Sequence, residues 1–310
     1  MAVTTHDAIP DDRNDSVWVY VDREWFRRPD AKISVFDSAF LVGDGIWEGL
    51  RYHDGTFVHL DRHLDRLFAS AEGVHLNIGK TRDELTELLN EIVERNGMTT
   101  DAHVRLMVTR GTKRTPLQDP RLVDGGSTIV IIAEHKKADP SAAATGIRLT
   151  TSTVRRPPPD SLDQRWNSHS KIHEVVALLE AIEAGTDEAL MLDPNGNVAT
   201  CNSTNFFIVT GGKLWTSSGL YCLNGVTRAL VLELAEEHGI VAHERDFTLE
   251  DVYAADEAFV TGTYGGLTPV IEVDGHTIGD GKPGPITAEL SQARMRAFDT
   301  QGAHSEEDPA

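Results

Sequence analysis

Stretches in which apolar residues recur at helical spacing alternate along the chain with short runs typical of β-strands. Helices are predicted at residues 60–74, 81–95, 167–185, 226–238, 248–254 and 286–299. Strands are predicted at residues 17–21, 32–35, 103–109, 128–133, 147–152, 188–192, 204–209, 213–217, 240–244, 257–261 and 269–273. The two kinds of element are intermixed, and Gly211 and Gly212 join two strands as a hairpin. The predicted fold class is therefore α/β to α+β rather than a doubly wound sheet.

A polar segment rich in small residues divides the chain into two parts of ordinary domain size. The stretch ADPSAAATG contains a proline and no large apolar residue, so we place an interdomain linker there. The predicted organisation is a disordered N-terminus at 1–15, a small α/β domain at 16–137, the linker at 138–146, a larger domain at 147–300 and a disordered tail at 301–310. A chain of 310 residues is long enough for each domain to build its own core.

Charge and cysteine content exclude several classes of protein. The formal net charge is -20, which argues against nucleic acid or an anionic membrane surface as a partner. Cys201 and Cys222 are the only cysteines, so neither a disulfide framework nor a four-cysteine zinc site can form, and no metal site is expected. No apolar run reaches the roughly 18 residues of a membrane span, and the N-terminus lacks the pattern of a secretory signal. A cytoplasmic location is expected.

Lys171 has an unusual position in the helix predicted at 167–185. Asn167, Ser168 and Ser170 are residue types that cap helices, and a glycine ends the apolar pattern. Lys171 therefore falls in the first turn, where the helix dipole is positive and favours anions.

Two interpretations of this lysine are open from the stretch alone. It is the only lysine between Lys137 and Lys213. The more common arrangement is an ammonium that extends into water, at a cost of about a few tenths of a kcal/mol. The alternative is that the dipole and partial burial lower the pKa of Lys171, which leaves a neutral amine able to form a Schiff base with a carbonyl group.

Three places have the features of a phosphate-binding site. The sequence NGVTR at 224–228 is a turn that leads into a helix, so the backbone N–H groups of Val226 and Thr227 and the threonine hydroxyl are available to an anion. The small-residue loop TGTYGG at 261–266 follows a strand and lets the backbone approach a ligand closely. Arg66 lies in a predicted helix. Each feature alone has an ordinary alternative: a helix cap, a turn or a solvated arginine.

Combined with Lys171, these sites describe an aldehyde-bearing cofactor that is held by its phosphate and joined to a lysine. That cofactor is pyridoxal phosphate. The chain contains no phosphate-loop motif, so a phosphate-loop nucleotide site has no support.

The order and the amino-acid sequences of several segments resemble those of the class IV aminotransferases. This family includes branched-chain aminotransferases, D-amino acid aminotransferases and aminodeoxychorismate lyase. The matching segments are DSAFLVGDGIWEGLR (37–51), HLDRLFASAEGVHL (63–76), VTRG (108–111), SK (170–171), DEALMLDPNGNV (187–198), STNFFIV (203–209), LNGVTR (223–228), DEAFVTGTYGGLTPVIEVDG (256–275) and DGKPGPIT (280–287). The resemblance extends from about residue 17 to 299 in one order. It implies a two-domain fold-type-IV enzyme, with a small N-terminal α/β domain and a larger cofactor domain, that works as a homodimer.

The resemblance also implies roles for individual residues. Lys171 matches the Schiff-base lysine, and Arg66 matches the arginine that holds the cofactor phosphate. Val226 and Thr227 match the helix N-terminus beneath the phosphate, and Thr263 matches a further phosphate contact.

Two departures from the family pattern bear on the chemistry. Thr200 occupies the position of a glutamate that keeps the pyridine nitrogen protonated, and a hydroxyl cannot hold that proton as a carboxylate does. We expect Thr200 to donate a hydrogen bond to a neutral ring instead, so the substrate carbanion is stabilised less. Val176 and Val42 replace tyrosines of the branched-chain enzymes. Subfamily drift is favoured over a changed reaction as the explanation.

Expected substrate contacts are mixed in character. Arg105 and Arg51 match arginines of the branched-chain enzymes, whereas the Arg-x-His pair of the D-amino acid enzymes falls on Thr115 and Leu117. The residues expected to form an apolar wall are Val42, Trp47 and Tyr264. His169 and His173 flank the lysine, where helical histidines are more often structural.

The sequence therefore predicts a pyridoxal-phosphate-dependent transaminase that uses a Lys171 Schiff base. Its substrates would be a hydrophobic amino acid, branched-chain-like or of the D series, and a 2-keto acid. Alternatives that use the same lysine are an (R)-amine transaminase and a lyase similar to aminodeoxychorismate lyase. A remote alternative, suggested by Thr200, is a cofactor-binding protein with little turnover.

Overall fold

The computed structural model describes residues 8–303, and the side chains of residues 8–298, as two compact units. The N-terminal unit comprises residues 8–137 and 166–170, and the C-terminal unit comprises residues 138–165 and 171–300. Each unit has its own hydrophobic core. Among the described residues, no helix has the length and apolar character needed to cross a membrane.

The N-terminal unit contains one antiparallel sheet and three α-helices among its described residues. These elements are β1 (Trp18–Val21), β2 (Glu24–Arg27), α1 (Ser38–Val42), β3 (Gly45–His53), β4 (Thr56–Phe57), α2 (Leu60–Gly73), α3 (Arg82–Arg95), β5 (Ala102–Thr109) and β6 (Thr128–His135). The strand order is β2-β1-β6-β5-β3-β4. Leu64 and Leu67 of α2 and Leu85 and Leu89 of α3 are fully buried, which is the result of apolar spacing by three and four residues.

Strand β3 contributes different side chains to the two faces of this sheet. Successive side chains of a strand point to opposite faces, so Ile46, Glu48 and Leu50 share one face while Trp47 and Arg51 share the other. Ile46 and Leu50 are completely buried in the core. A carboxylate is therefore carried into the core between two aliphatic side chains.

The C-terminal unit contains a mixed sheet of nine strands. Its elements are α4 (Ser141–Thr145), β7 (Ile147–Thr151), α5 (Ile172–Ala184), β8 (Glu188–Leu192), β9 (Val198–Cys201), β10 (Asn205–Thr210), β11 (Lys213–Thr216), α6 (Val226–Glu237), β12 (Ala242–Glu244), α7 (Leu249–Tyr253), β13 (Glu257–Gly262), β14 (Gly266–Val273), β15 (His276–Thr277) and α8 (Pro285–Ala303). The strand order is β12-β11-β10-β13-β14-β7-β8-β9, with β15 beside β14. Strands β7 and β8 are parallel, and so are β14 and β7.

The observed architecture confirms the predicted mixture of α/β and α+β features. Thr81 caps α3 through a capping box with Glu84, as its position before the apolar pattern predicted. The hairpin through Gly211 and Gly212 is also present, and both glycines have the positive φ angles that a tight turn requires.

Other predictions from local pattern were wrong. Residues 32–35 form no strand, and β2 takes the place beside β1 because the turn at Asp22 and Arg23 closes a hairpin. Strand β3 was not predicted, since its glycines interrupt the apolar alternation.

The ends and the linker are also more ordered than expected. Residues Asp12–Ser16 form a 3-10 turn, in which the Asn14 amide bonds the backbone of His135, so the expected disorder at 1–15 does not hold there. The linker predicted at 138–146 contains α4, whose Ala142 is buried in the C-terminal core. Helix α8 continues to Ala303, into the predicted tail. Residues 1–7 and 304–310 lie outside the described residues.

Candidate active site

Lys171 immediately precedes α5 and does not lie in its first turn. It is the N-cap residue, with φ -109° and ψ 12°, and its side chain makes no capping hydrogen bond. The predicted caps Asn167, Ser168 and Ser170 therefore do not begin this helix, which starts at Ile172. Gly185 ends α5 in the left-handed conformation, as predicted. The Lys171 side chain still lies at the positive end of the dipole and is 23% exposed.

The segment before Lys171 is held by strand β3 of the N-terminal unit. Ser168 forms a bridge with Ile46, and the Asn167 side chain donates to the Trp47 carbonyl at 2.7 Å. Trp166 packs on the end of α2, where a Cβ on Gly73 would come within 2.2 Å of the indole nitrogen. The backbone leading to the lysine is therefore fixed by β3 and by a glycine that leaves room for the indole.

Four polar side chains surround the start of α5 within the C-terminal unit. Glu174 Oε1 accepts a hydrogen bond from Lys171 Nζ at 3.4 Å and one from Arg156 Nη1 at 2.6 Å. Arg156 is 2% exposed and also donates to Gln164 Oε1 and to the Tyr221 carbonyl. Glu174 places a negative charge beside the amine and Arg156 places a positive charge beside that carboxylate, so the expected neutral form of Lys171 stays a prediction.

His173 belongs to the same group. Its Nε2 lies 3.2 Å from Gln164 Oε1. Burial lowers the pKa of His173, and the carboxylate of Glu174 only partly offsets this. His173 therefore makes polar contacts at the start of α5. This agrees with the structural role that is more common for a helical histidine.

Thr200 lies in β9 and is buried. Its hydroxyl donates to the Thr204 carbonyl at 2.8 Å, and the Thr204 hydroxyl donates to Glu188 Oε2 at 2.7 Å. Here the hydroxyl hydrogen of Thr200 is directed at a backbone carbonyl, and its donation to a cofactor ring stays a prediction. The oxygen of Thr200 retains acceptor capacity but has no charge with which to hold a proton on a ring nitrogen.

The turn before α6 has the features of an anion site. Gly225 is the N-cap and has no side chain that could cap the helix. Thr227 is therefore not the helix cap, which was the ordinary alternative to an anion-binding role. A Cβ on Gly225 would lie 2.2 Å from Asn205 Oδ1, so glycine is needed for the asparagine to pack against this turn. Val226 and Thr227 present the first N–H groups of the helix, where the dipole is positive.

The loop between β13 and β14 is supported from α8. Arg294 Nη2 donates to the Thr263 carbonyl at 3.3 Å, and its guanidinium lies where a Cβ on Gly266 would be. Gly266 has φ +67°, a conformation in which a side chain is strained. Tyr264 in this loop is buried.

In the N-terminal unit, Arg66 is held by a buried carboxylate. Arg66 Nε and Nη2 donate to the two oxygens of Glu48 at 2.8 and 2.7 Å, and His63 Nδ1 lies 2.8 Å from Glu48 Oε2. Burial alone would raise the pKa of Glu48, but the Arg66 guanidinium and the His63 hydrogen bond bring it below its ordinary value. The bidentate pair fixes the plane and direction of the guanidinium.

Three of the expected substrate contacts, Trp47, Arg51 and Arg105, lie on the other face of the same sheet. The Arg105 guanidinium carbon lies 3.8 Å from the centroid of the Trp47 ring, and burial lowers the pKa of Arg105. Arg51 extends towards Asp101, with 3.9 Å between Nη2 and Oδ1. Val42 is the last residue of α1 and is 41% exposed. The N-terminal unit thus brings Trp47 and Arg105 together.

Comparison with known proteins gives this arrangement a family. A family model described as "Amino-transferase class IV" matches residues 45–273, which is more than half of the chain. The chain belongs to the class IV aminotransferase family. Enzymes of this family use pyridoxal phosphate, and solved relatives contain it in phosphopyridoxyl or pyridoxamine form.

Similar members of the class IV aminotransferase family cover nearly all of this chain. It is 38% identical to "Branched-chain-amino-acid aminotransferase-like protein 2" of Arabidopsis thaliana over 95% of its own length, although it spans only about half (53%) of that relative. It is 40% identical to "Putative branched-chain-amino-acid aminotransferase" of Methanocaldococcus jannaschii, over 88% of this chain and 94% of the relative. The solved branched-chain aminotransferase of the archaeon Thermoproteus uzoniensis, determined with norvaline, superposes with a TM-score of 0.82 at 30% identity, over 91% of this chain and 94% of that one.

Sequence analysis missed several residues that support the class IV aminotransferase site. Glu48 lies in a segment that was noted only as a family motif. A carboxylate that shares one face of a strand with Ile46 and Leu50 is a signal of a buried ion pair. Arg156 and Arg294 carried no comparable local signal, because their partners are distant in sequence. Glu174 did carry one, since it follows Lys171 by three residues on a predicted helix.

We expect Glu48→Gln to lower the free energy of unfolding by about 2–4 kcal/mol, because the Arg66 charge then lacks its buried partner. The pKa of Glu48 is lower in the folded than in the unfolded protein, so this stabilisation is present above about pH 5 and is lost as the pH falls. The difference between variant and parent in chemical denaturation should therefore shrink in acid.

The matched control is Glu91→Gln, which removes a carboxylate from an exposed pair with Arg95. It should change the free energy of unfolding by less than about 0.5 kcal/mol. Equal effects of the two variants at neutral pH would contradict the role given to Glu48.

Proposed function

We propose that this chain is a pyridoxal-phosphate-dependent transaminase that transfers an amino group between an amino acid and a 2-keto acid. The observation that carries the proposal is the placement of Lys171, a partly buried amine at the N-terminus of α5, in a chain that belongs to the class IV aminotransferases. The cofactor supplies an aldehyde for the amine and a ring that takes up electrons from the substrate carbon. Lys171 holds that aldehyde and moves a proton at the substrate carbon.

The residues present fit the phosphate end of this cofactor. The turn at Gly225 leaves the first N–H groups of α6 without a side-chain cap, and the Thr227 hydroxyl adds a donor. Thr263 lies in a loop that Arg294 supports by a hydrogen bond. Arg66 brings a guanidinium whose direction is set by Glu48, and such a group suits a dianionic phosphate.

The residues fit the ring end less closely. Thr200 has no charge, and its hydroxyl hydrogen is donated to a backbone carbonyl. The ring nitrogen therefore lacks a carboxylate at this position, and we expect slower removal of the substrate proton than in an enzyme with glutamate there. This slows the proposed reaction but leaves the lysine and phosphate contacts in place.

The substrate we propose is a hydrophobic amino acid of the branched-chain kind. Arg105 and Arg51 supply positive charge for a substrate carboxylate, and the flat surface of Trp47 suits an aliphatic side chain. The names of the three relatives support the same class. A simple amine has no carboxylate to use these arginines, so the amine transaminase alternative is not favoured. The lyase alternative is not favoured because the three relatives are named as aminotransferases. A cytoplasmic location stays part of the proposal.

We further propose that the enzyme is a homodimer in which α5 of one copy packs on the second copy. Five large apolar side chains are exposed on this helix: Ile172, Val175, Val176, Leu179 and Ile182, each at least 41% accessible. Their spacing gives one continuous stripe along the helix. Because each copy has a net charge of -20, contact between copies is favoured where the surface is uncharged.

The function is tested by the visible spectrum of the purified chain with pyridoxal phosphate. We expect a band from the lysine-bound cofactor that L-leucine or L-valine removes and a 2-keto acid restores. Lys171→Met should lack the band, whereas Lys213→Met, which removes an exposed lysine, should keep it. D-alanine and a chiral aryl-alkyl amine, added in separate samples, identify the hand and class of the donor. A band that persists in Lys171→Met would refute the assignment of the lysine.

Thr200→Glu tests the explanation of the ring contact. We expect the half-reaction with an amino acid to become about tenfold faster, which corresponds to roughly 1.4 kcal/mol in the barrier. Single-turnover absorbance measurements provide the rate. Thr200→Val serves as the control and should stay near the parent rate, since the Cys201 N–H still donates to the Thr204 carbonyl. A folded, cofactor-loaded Thr200→Glu that is slower than the parent would show that the ring is held in another way.

Leu179→Asp tests the dimer. A carboxylate in the centre of the apolar stripe would be buried without a partner, so we expect the parent to sediment as a dimer and the variant mainly as a monomer. Analytical ultracentrifugation gives both masses. Leu117→Asp makes the same change at an exposed leucine of the N-terminal unit and should remain dimeric. A monomeric parent, or a dimeric Leu179→Asp, would contradict the proposed interface.

A further inference from the structure

Glu174 is a carboxylate that the mechanism above does not use, although it lies beside the reactive amine. It follows Lys171 by three residues, so the first turn of α5 brings the two side chains to the same side of the helix. Lys171 Nζ and Glu174 Oε1 are 3.4 Å apart, and the two side chains are 23% and 14% exposed. A pair with this little exposure is screened less than a surface ion pair.

Arg156 makes this carboxylate a fixed group. Its Nη1 lies 2.6 Å from the same oxygen of Glu174 that faces the lysine, and its side chain is almost completely buried. The guanidinium is held in turn by the Tyr221 carbonyl and by Gln164. A buried arginine with such partners holds the neighbouring carboxylate in place and restricts its rotation.

Gln164 also fixes the protonation of His173. Arg156 can only donate, so the group of Gln164 that faces it is the amide oxygen, and the amide nitrogen donates to the Leu162 carbonyl at 2.9 Å. The same oxygen lies 3.2 Å from His173 Nε2, which must therefore carry a hydrogen. The charged and titratable groups near the amine within the C-terminal unit include Glu174 and His173 on α5 and Arg156 on the loop after β7.

We propose that Glu174 is a positioning residue for Lys171: fixed by Arg156, it accepts a hydrogen from the lysine nitrogen, sets the direction of that nitrogen and favours a proton on it. The functional consequence rests on the proposed transaminase, in which the lysine nitrogen must hold and transfer a proton.

The test is a titration of Lys171 in the full chain without cofactor. Trace acetylation with acetic anhydride at a series of pH values, followed by mass spectrometry of the peptide that contains Lys171, gives the pH midpoint of this amine. In Glu174→Gln the midpoint should fall by about one pH unit or more, because a carboxylate within about 4 Å is lost while the Arg156 charge remains. The amide oxygen of glutamine can still accept from Arg156, which favours retention of the fold.

Glu183→Gln is the matched control. It removes one exposed carboxylate from the far end of the same helix, and the Lys171 midpoint should then move by less than about 0.2 pH unit. Glu174→Asp keeps the charge but draws it back by one methylene, so a smaller downward shift than in Glu174→Gln is expected. Equal midpoints in parent, Glu174→Gln and Glu174→Asp would overturn the proposal. If Glu174→Gln fails to fold, an unchanged midpoint in Glu174→Asp alone overturns it.

A second readout separates this inference from the proposed function. With pyridoxal phosphate, the pH at which the visible band changes should move down in Glu174→Gln relative to the parent and to Glu183→Gln. If the parent forms no such band, the proposed function fails while the acetylation titration still decides the role of Glu174. If the band forms but neither its pH midpoint nor that of the free amine responds to Glu174→Gln, the function stands and the inference fails.

Discussion

The burial of Glu48 is the condition on which the N-terminal unit depends. A carboxylate without access to water costs several kcal/mol unless a cation and hydrogen bonds compensate for it. Arg66 and His63 supply both from α2, so the register between this helix and β3 is fixed by charge as well as by the leucines around it. Since Arg66 is also the proposed phosphate ligand, one guanidinium serves folding and anion binding at once.

The C-terminal unit meets a similar requirement in a different way. There one of the buried cations is Arg156, and the carboxylate that compensates for it is Glu174 on the lysine helix. Near the expected ring position the side chain is Thr200, which is neutral and satisfied by a backbone carbonyl. The amine side of this unit thus has a carboxylate held by a buried arginine, whereas the position of Thr200 has a neutral hydroxyl.

How far the sequence predicts the structure depends on whether a signal is local. Thr81 and Gly185 mark helix ends through contacts within a few residues, and both were predictable. Lys171 was singled out from one helix and then matched by family resemblance. The pair of Arg156 and Glu174 is different, because its members are 18 residues apart and one lies in a loop without periodicity. Strand β3 was missed since its pairing with β5, and not its composition, makes it a strand.

Helix α5 has small residues inside and large ones outside, the reverse of an ordinary surface helix. Ala177 and Ala181 are completely buried against the sheet, while the larger aliphatic side chains face outward. Alanine buries little apolar area, so in the proposed dimer much of the burial that stabilises this helix comes from the second copy. The stability of the helix that begins beside Lys171 would then depend on protein concentration, because dilution dissociates the dimer. Dilution would therefore make the Lys171 side chain more mobile before it unfolded the chain.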